Sequence, residues 1–216
     1  MSAINPALDF LDEEFAPELR HVLPSALRRA YAAASRVMET EPFLATPGGK
    51  FQRGDLIAVA SEFEIERLIT SGQLPFERSW EPYARPTGLH LVVWTARGRL
   101  TVSQVEDAEI KPRHAYFRDN YAISNQSYLF DCMNEEAQAK NGRKHLLLLH
   151  GYKDLTFAHL AVPHAKKNHH IVTTPNLIQL PHEIIDDLPQ AEGPTESPDP
   201  ESLEAIWRYR RDHLDD

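Results

Sequence analysis

The chain has 216 residues, 42% of them hydrophobic, and a formal net charge of −9. That length suits one domain with a sizeable core, and no run approaches the ~20 apolar residues needed to cross a bilayer. A single cysteine, Cys132, excludes an internal disulfide and a cysteine-based zinc centre, and the acidic start MSAINPALDFLDEEFAPE lacks a basic segment followed by an apolar run, so a cytoplasmic protein with no membrane partner is expected.

The first predicted element covers Pro17 to Met38. Leu19, Leu23, Leu27, Ala30, Ala34 and Val37 recur at spacings of three and four, the mark of one buried helical face. Pro24 would cost an interior hydrogen bond, so a short turn is expected to end at Leu23 and the main helix to start with Pro24. Pro47-Gly48-Gly49 marks a loop. Asp55 to Thr70 alternates like a strand at Glu62-Phe63-Glu64-Ile65-Glu66. Its length and helix-forming residues, with Asp55 as N-cap and Gly72 near the C-cap, predict a helix instead. Residues 73–88, with three prolines, read as loop.

Leu89–Thr95 and Leu100–Val105 read as a hairpin around Ala96–Arg99. Residues 107–128 are polar, aromatic and irregular, and Asn134–Asn141 predicts a short helix. His145–His150 and Leu155–Val162 form a second expected hairpin around Gly151–Asp154. Both of its arms are apolar on both faces, which suits a central place in a sheet and makes Leu146, Leu148, Phe157 and Leu160 candidate core residues. Prolines 163, 175 and 181 bound later extended pieces. PQAEGPTESPDPE has the composition of a linker, and a terminal helix of residues 203–214 follows.

The expected fold class is therefore α+β, with a mainly antiparallel sheet built on two hairpins, about 89–105 and 145–162, and helices before and between them. The expected organisation is one domain over 1–188, a flexible acidic proline-rich linker over 189–202, and the helix 203–214.

The chemical inventory excludes several classes. There is no G-x-G-x-x-G and no G-x-S-x-G, and Gly48-Gly49-Lys50-Phe51 lacks the earlier glycine and the hydroxyl residue of a phosphate-cradling loop. His182-Glu183-Ile184-Ile185-Asp186 offers Asp where a zinc-peptidase helix needs its second His. Glu109-Ile110-Lys111 has the acid-x-Lys spacing of some metal nucleases, a spacing that chance supplies readily here. His170, Asn176 and His182 stand too close in sequence for the usual ββα metal finger.

Charge is uneven. Residues 111–170 carry 9 basic and 5 acidic groups plus seven of the 11 histidines, between acidic ends. Arg113–Tyr128 interleaves arginine with Tyr and Phe, a mix that meets phosphates and stacks on rings. The leading expectation is a binding or regulatory protein engaging an anionic partner, protein or nucleic acid, through Arg113, Tyr116, Arg118, Lys166, Lys167, His169 and His170. The alternative is a metal-dependent hydrolase. Pairing across the second hairpin would set His150 opposite Leu155 and His159 opposite Leu146, so the two histidines would share a face. With His164 and Asp154 they are candidate ligands for a divalent metal under this alternative; under the leading expectation no cofactor is expected. A third reading is a structural subunit docking through the C-terminal helix.

Overall fold

The computed structural model describes residues 5–83, 88–125 and 142–180. Two helices open the chain: α1 (Pro6–Glu14) and α2 (Pro17–Arg20). Asn5 caps α1 by accepting the Ala7 N–H, and Pro6 takes the first helical position, where a missing N–H costs nothing. Helix α3 (Val22–Thr40) follows at once. The break falls at His21 rather than Leu23, and Pro24 lies third in α3, still within the first turn whose N–H groups have no intrahelical acceptor. Helix α4 (Arg53–Thr70) confirms a helix where local alternation resembled a strand. Gln52 rather than Asp55 holds its N-cap position, and Asp55 sits in the first turn, where its charge favours the helix dipole. Gly72, at φ 77°, turns the chain out of α4.

The class is α+β, with six strands among the described residues in one mostly antiparallel sheet: β1 (Glu77–Pro82), β2 (Leu89–Trp94), β3 (Gly98–Val105), β4 (Lys144–Gly151), β5 (Ala158–Pro163) and β6 (His170–Thr173). Spatial order equals chain order, and only β3 and β4 are parallel. A parallel neighbour requires a crossover, and helix α5 (Tyr116–Ile123) lies within it. Strand β1 replaces the expected loop over 73–88. Its burial is partial and alternating, and its Pro82 lies at the very end of an edge strand, where a missing donor is tolerated. Helix α5 also carried too little periodicity to be read, while β6 lies within the extended piece expected between Pro163 and Pro175. The expected helix at 134–141, the linker and the terminal helix 203–214 lie outside the described residues, as does the domain boundary near 188.

The register of the second hairpin differs from expectation. His150 pairs with Ala158 and Leu149 with His159, because β5 starts at Ala158 and the loop spans 152–157. The shift of three residues, Leu149 rather than Leu146 opposite His159, is odd and so sends His150 and His159 to opposite faces. A side chain at Gly151 would bring its Cβ within 2.1 Å of the Asp154 carbonyl oxygen, so glycine is required where β4 leaves the sheet.

Alternation along the strands divides the apolar residues. Leu91, Val93, Leu100, Leu146, Leu148, Leu160 and Val162 join Leu11, Phe15, Leu23, Leu27, Ile65 and Leu68 in the main core beneath the N-terminal helices. Val105, Leu147, Leu149 and Ala161 form a second cluster on the opposite face, with Phe157 half-buried against it. Leu146, Leu148 and Leu160 are fully buried; Phe157 is not part of the main core. Helices α3 and α4 are joined by Arg29, whose Nε donates to Glu64 at 2.8 Å, while Arg67 reaches the same carboxylate at 2.9 Å.

Glu14 ties the end of α1 to the β2–β3 turn. Its carboxylate accepts from the Thr95 hydroxyl at 2.5 Å, the Arg97 N–H at 2.7 Å and the Arg97 Nε at 2.7 Å. Burial alone would raise its pKa, but these hydrogen bonds outweigh burial and hold it below the ordinary carboxylate range. A lowered folded pKa means stability that is present above the unfolded value and lost as pH falls through the folded one. Glu14→Gln is therefore expected to lower the melting temperature at pH 7. The gap to wild type should close as pH falls below about 4. A constant gap in melting scans from pH 3 to 7 would contradict this.

Candidate functional site

The sheet is interrupted between β2 and β3. Strand β1 pairs with β2 along its whole length and β3 with β4 likewise, but β2 meets β3 only at Val93–Leu100 and Trp94–Arg99. Toward Leu89 and Val105 the strands are unpaired. A cleft of about 490 Å³ lies there, lined among others by Glu62, Tyr83, Leu89, Ser103, Arg118 and His150. A neighbouring cavity of about 480 Å³ shares Asp55, Gln104 and Arg118 with it and carries Lys111 and Arg113 on its wall.

Helix α4 supplies Glu62 from one side. Its Oε1 accepts the N–H of Leu91 at 3.1 Å, at a point where β2 has no paired residue in β3. A carboxylate has thus taken over a backbone donor that the interrupted ladder leaves behind. Burial pushes the Glu62 carboxyl up to about 7; the Leu91 N–H and the Arg118 charge pull it down without cancelling that effect.

Helix α5 supplies Arg118 from the other side of the sheet. Its Nη1 donates to Ser103 Oγ at 3.2 Å and its Nη2 to the Arg113 carbonyl at 2.8 Å. Its guanidinium lies 5.1 Å from the centre of the Phe117 ring. Its Nε is buried and has no hydrogen-bond partner among the described residues. Among the described residues no carboxylate stands within ion-pair distance of it. Burial pulls its pKa down from an ordinary value so high that it stays charged at neutral pH.

The helix that carries Arg118 is firmly held. Tyr121 donates to Glu81 at 2.5 Å, and Phe117 stacks on His90 with ring centres 3.8 Å apart. Just beyond α5, buried Asn125 accepts the His145 N–H and donates to the carbonyls of His145 and Pro163, spanning β4 and β5. Tyr83 lies against His90 and Phe117, and burial, with the Glu62 charge, raises the pKa of its phenol.

His150 reaches the cleft from β4. Tyr31 of α3 donates its hydroxyl proton to the Gly151 carbonyl, so its oxygen must accept from His150 Nδ1, 2.8 Å away. The neutral ring therefore carries its proton on Nδ1. Nε2 is left as a buried lone pair with no partner among the described residues. Burial lowers the His150 pKa to about 4.

The four residues read as metal ligands do not converge. His150 faces the N-terminal helices, while His159 is on the opposite face with its Nδ1 on the Thr174 carbonyl at 2.8 Å. His164 Nδ1 accepts the backbone N–H groups of Lys166 and Lys167 at 3.0 and 3.1 Å, which makes it a turn-forming acceptor. Asp154 is exposed and 3.8 Å from Arg53. Among the described residues no group of three His, Cys, Asp or Glu is arranged to hold a metal ion.

The expected partner-binding residues fare differently. Lys111 Nζ donates to the His164 carbonyl at 3.0 Å, and Ile110 bridges to His169, so the 106–113 loop and the 164–169 loop are fastened together. This brings exposed Lys166 and Lys167 to the loop that carries Arg113. Tyr116 is exposed at the start of α5, and His170 is half-buried in β6, its pKa lowered to about 4 by burial.

Sequence reasoning singled out Arg118 but not Glu62, Tyr31, Tyr83, Ser103 or Gln104. One signal was present. The strand-like alternation Glu62-Phe63-Glu64-Ile65 in a helix marks two acids turned inward while Phe63 is left 56% exposed. Comparison with protein-family models, with curated proteins and with solved structures finds no match.

Proposed function

We propose that this protein binds a small anionic molecule in the cleft between β2 and β3, with Arg118 as its anchor. The observation that carries this reading is a half-buried guanidinium in the lining of the cleft with no carboxylate within ion-pair distance among the described residues. Burying such a charge is costly unless a counter-charge arrives. The cleft volume matches a metabolite-sized ligand. Glu62, held near half-protonation at neutral pH, adds an acid that donates a hydrogen bond to an anion when protonated.

The test is a thermal-shift and calorimetric series with inorganic phosphate, pyrophosphate, succinate and malate. At least one is expected to raise the melting temperature saturably. Arg118→Gln should weaken that anion at least tenfold, since a hydrogen bond to a charged group contributes roughly 1.5–3 kcal/mol. Arg78→Gln, on the edge strand β1 and away from the cleft, should leave it unchanged. Failure of all four anions to bind, or equal affinity in Arg118→Gln, would remove the proposal.

A further inference from the structure

We propose that the anion reaches this cleft as the Glu or Asp side chain of a short extended peptide, which pairs with the free edge of β3. This rests on the reading of the cleft as an anion site and names the class of ligand that presents the charge.

The edge follows from the hairpin register. The Thr95 N–H donates to the Gly98 carbonyl at 3.1 Å. Hydrogen-bonded pairs alternate along an antiparallel ladder, so Val93–Leu100 is the next such pair, and it is made. Leu91–Val102 and Leu89–Gln104 would follow, and neither is made. The Leu91 N–H, which by this alternation points toward β3, goes to Glu62 instead. The N–H and carbonyl of Val102 and of Gln104 therefore point at the gap, with no strand paired to them there among the described residues. Both residues are half-buried and both line the cleft. Backbone donors and acceptors at strand spacing are a template for another extended chain.

The side chains around this edge define what that chain carries. An antiparallel peptide would pair two alternate residues with Val102 and Gln104 and set the residue between them opposite Ser103. Opposite residues share a face, with Cβ atoms about 4.5–5.5 Å apart. On that face Arg118 Nη1 lies 3.2 Å from Ser103 Oγ, so an acid at the middle position meets the guanidinium. Nη1 and Nη2 each keep a second N–H beyond those given to Ser103 and to the Arg113 carbonyl. The two flanking side chains point to the other face, where Ala58 and the exposed Val59 of α4 line the cleft. The selected pattern is apolar, acid, apolar.

The experiment measures the capped peptide acetyl-TVEVT-amide by calorimetry. Its comparators are the TVQVT peptide in the same caps, the TVEVT peptide methylated on both valine nitrogens, and glutarate, which carries the side-chain acid without a backbone. Wild type is expected to bind the parent peptide at least about tenfold tighter than each comparator, the effect of one or two hydrogen bonds lost. Arg118→Gln should bring the Glu and Gln peptides within about twofold of each other. Saturating wild type with the parent peptide should also slow hydrogen exchange at the Val102 and Gln104 amides by at least about tenfold, a readout that depends on no variant folding. A peptide no tighter than glutarate, no loss on methylation, or unchanged exchange at both amides would overturn the inference, while binding of glutarate would leave the anion site standing. A preference for the Glu peptide that survives undiminished in Arg118→Gln would overturn it as well. Absence of binding by glutarate and by all three peptides would overturn both.

Discussion

Leu148→Ala is expected to destabilise the protein by roughly 3–5 kcal/mol, while Phe157→Ala should cost at most about half of that. Leu148 lies on β4, the strand paired with β3 on one side and β5 on the other, and its side chain is fully buried in the main core beneath the N-terminal helices. Truncation there removes apolar contacts on every side and leaves a cavity that two paired strands cannot collapse around. Phe157 precedes β5 in a loop and packs half-buried on the smaller cluster of the opposite face. Part of its ring already meets water, so less transfer free energy is lost and no closed cavity forms. Urea denaturation of both variants measures the difference. A larger loss for Phe157→Ala than for Leu148→Ala would mean that the second cluster, and not the helix-covered face, is the main core.

Glu62→Gln is expected to stabilise the protein by roughly 2 kcal/mol at pH 8 and to leave it nearly unchanged at pH 5. The sign follows from the direction of the shift. The carboxyl titrates near 4.5 in the unfolded chain and about 7 in the folded one. Between those values the folded state holds a proton that the unfolded state has released, so stability declines as pH rises through this window. The full shift corresponds to about 3 kcal/mol, which the partial solvent access of the side chain reduces. Glutamine carries no charge to bury and keeps an oxygen for the Leu91 N–H. Denaturant titrations at the two pH values check this, and an equal effect at both would show that Glu62 is not protonated in the fold. The gain in stability should accompany a loss of pH dependence in anion binding, because the carboxyl is then no longer present to lose its proton.

These two residues show how far the sequence reaches. The helices of α3 and α4 were legible because their buried faces recur at three and four residues. Strand β4 was legible because Leu146–Leu149 is a short apolar run that only a doubly covered strand can bury. The edge strand β1 was not, since an edge strand buries too little for its composition to record it. Helix α5 was hidden for a related reason. Only Ala122 of its eight residues is fully buried, and its aromatic and charged side chains hold it in place through specific contacts that follow no period.

The candidate site divides the same way. From the sequence alone came the α+β class, the absence of a nucleotide-binding loop or serine elbow, the local excess of positive charge and the presence of Arg118 within it. The histidines read as metal ligands were separated by register, which depends on where a loop ends and which no hydrophobic pattern fixed. Only the tertiary structure could interrupt the β2–β3 ladder and bring Glu62, Arg118 and His150 to the gap from three separate elements. Local sequence determines which residues turn inward, because burial leaves a period. It does not record which buried polar groups meet, because that depends on chain paths 29 and 119 residues apart in which no single segment carries the signal.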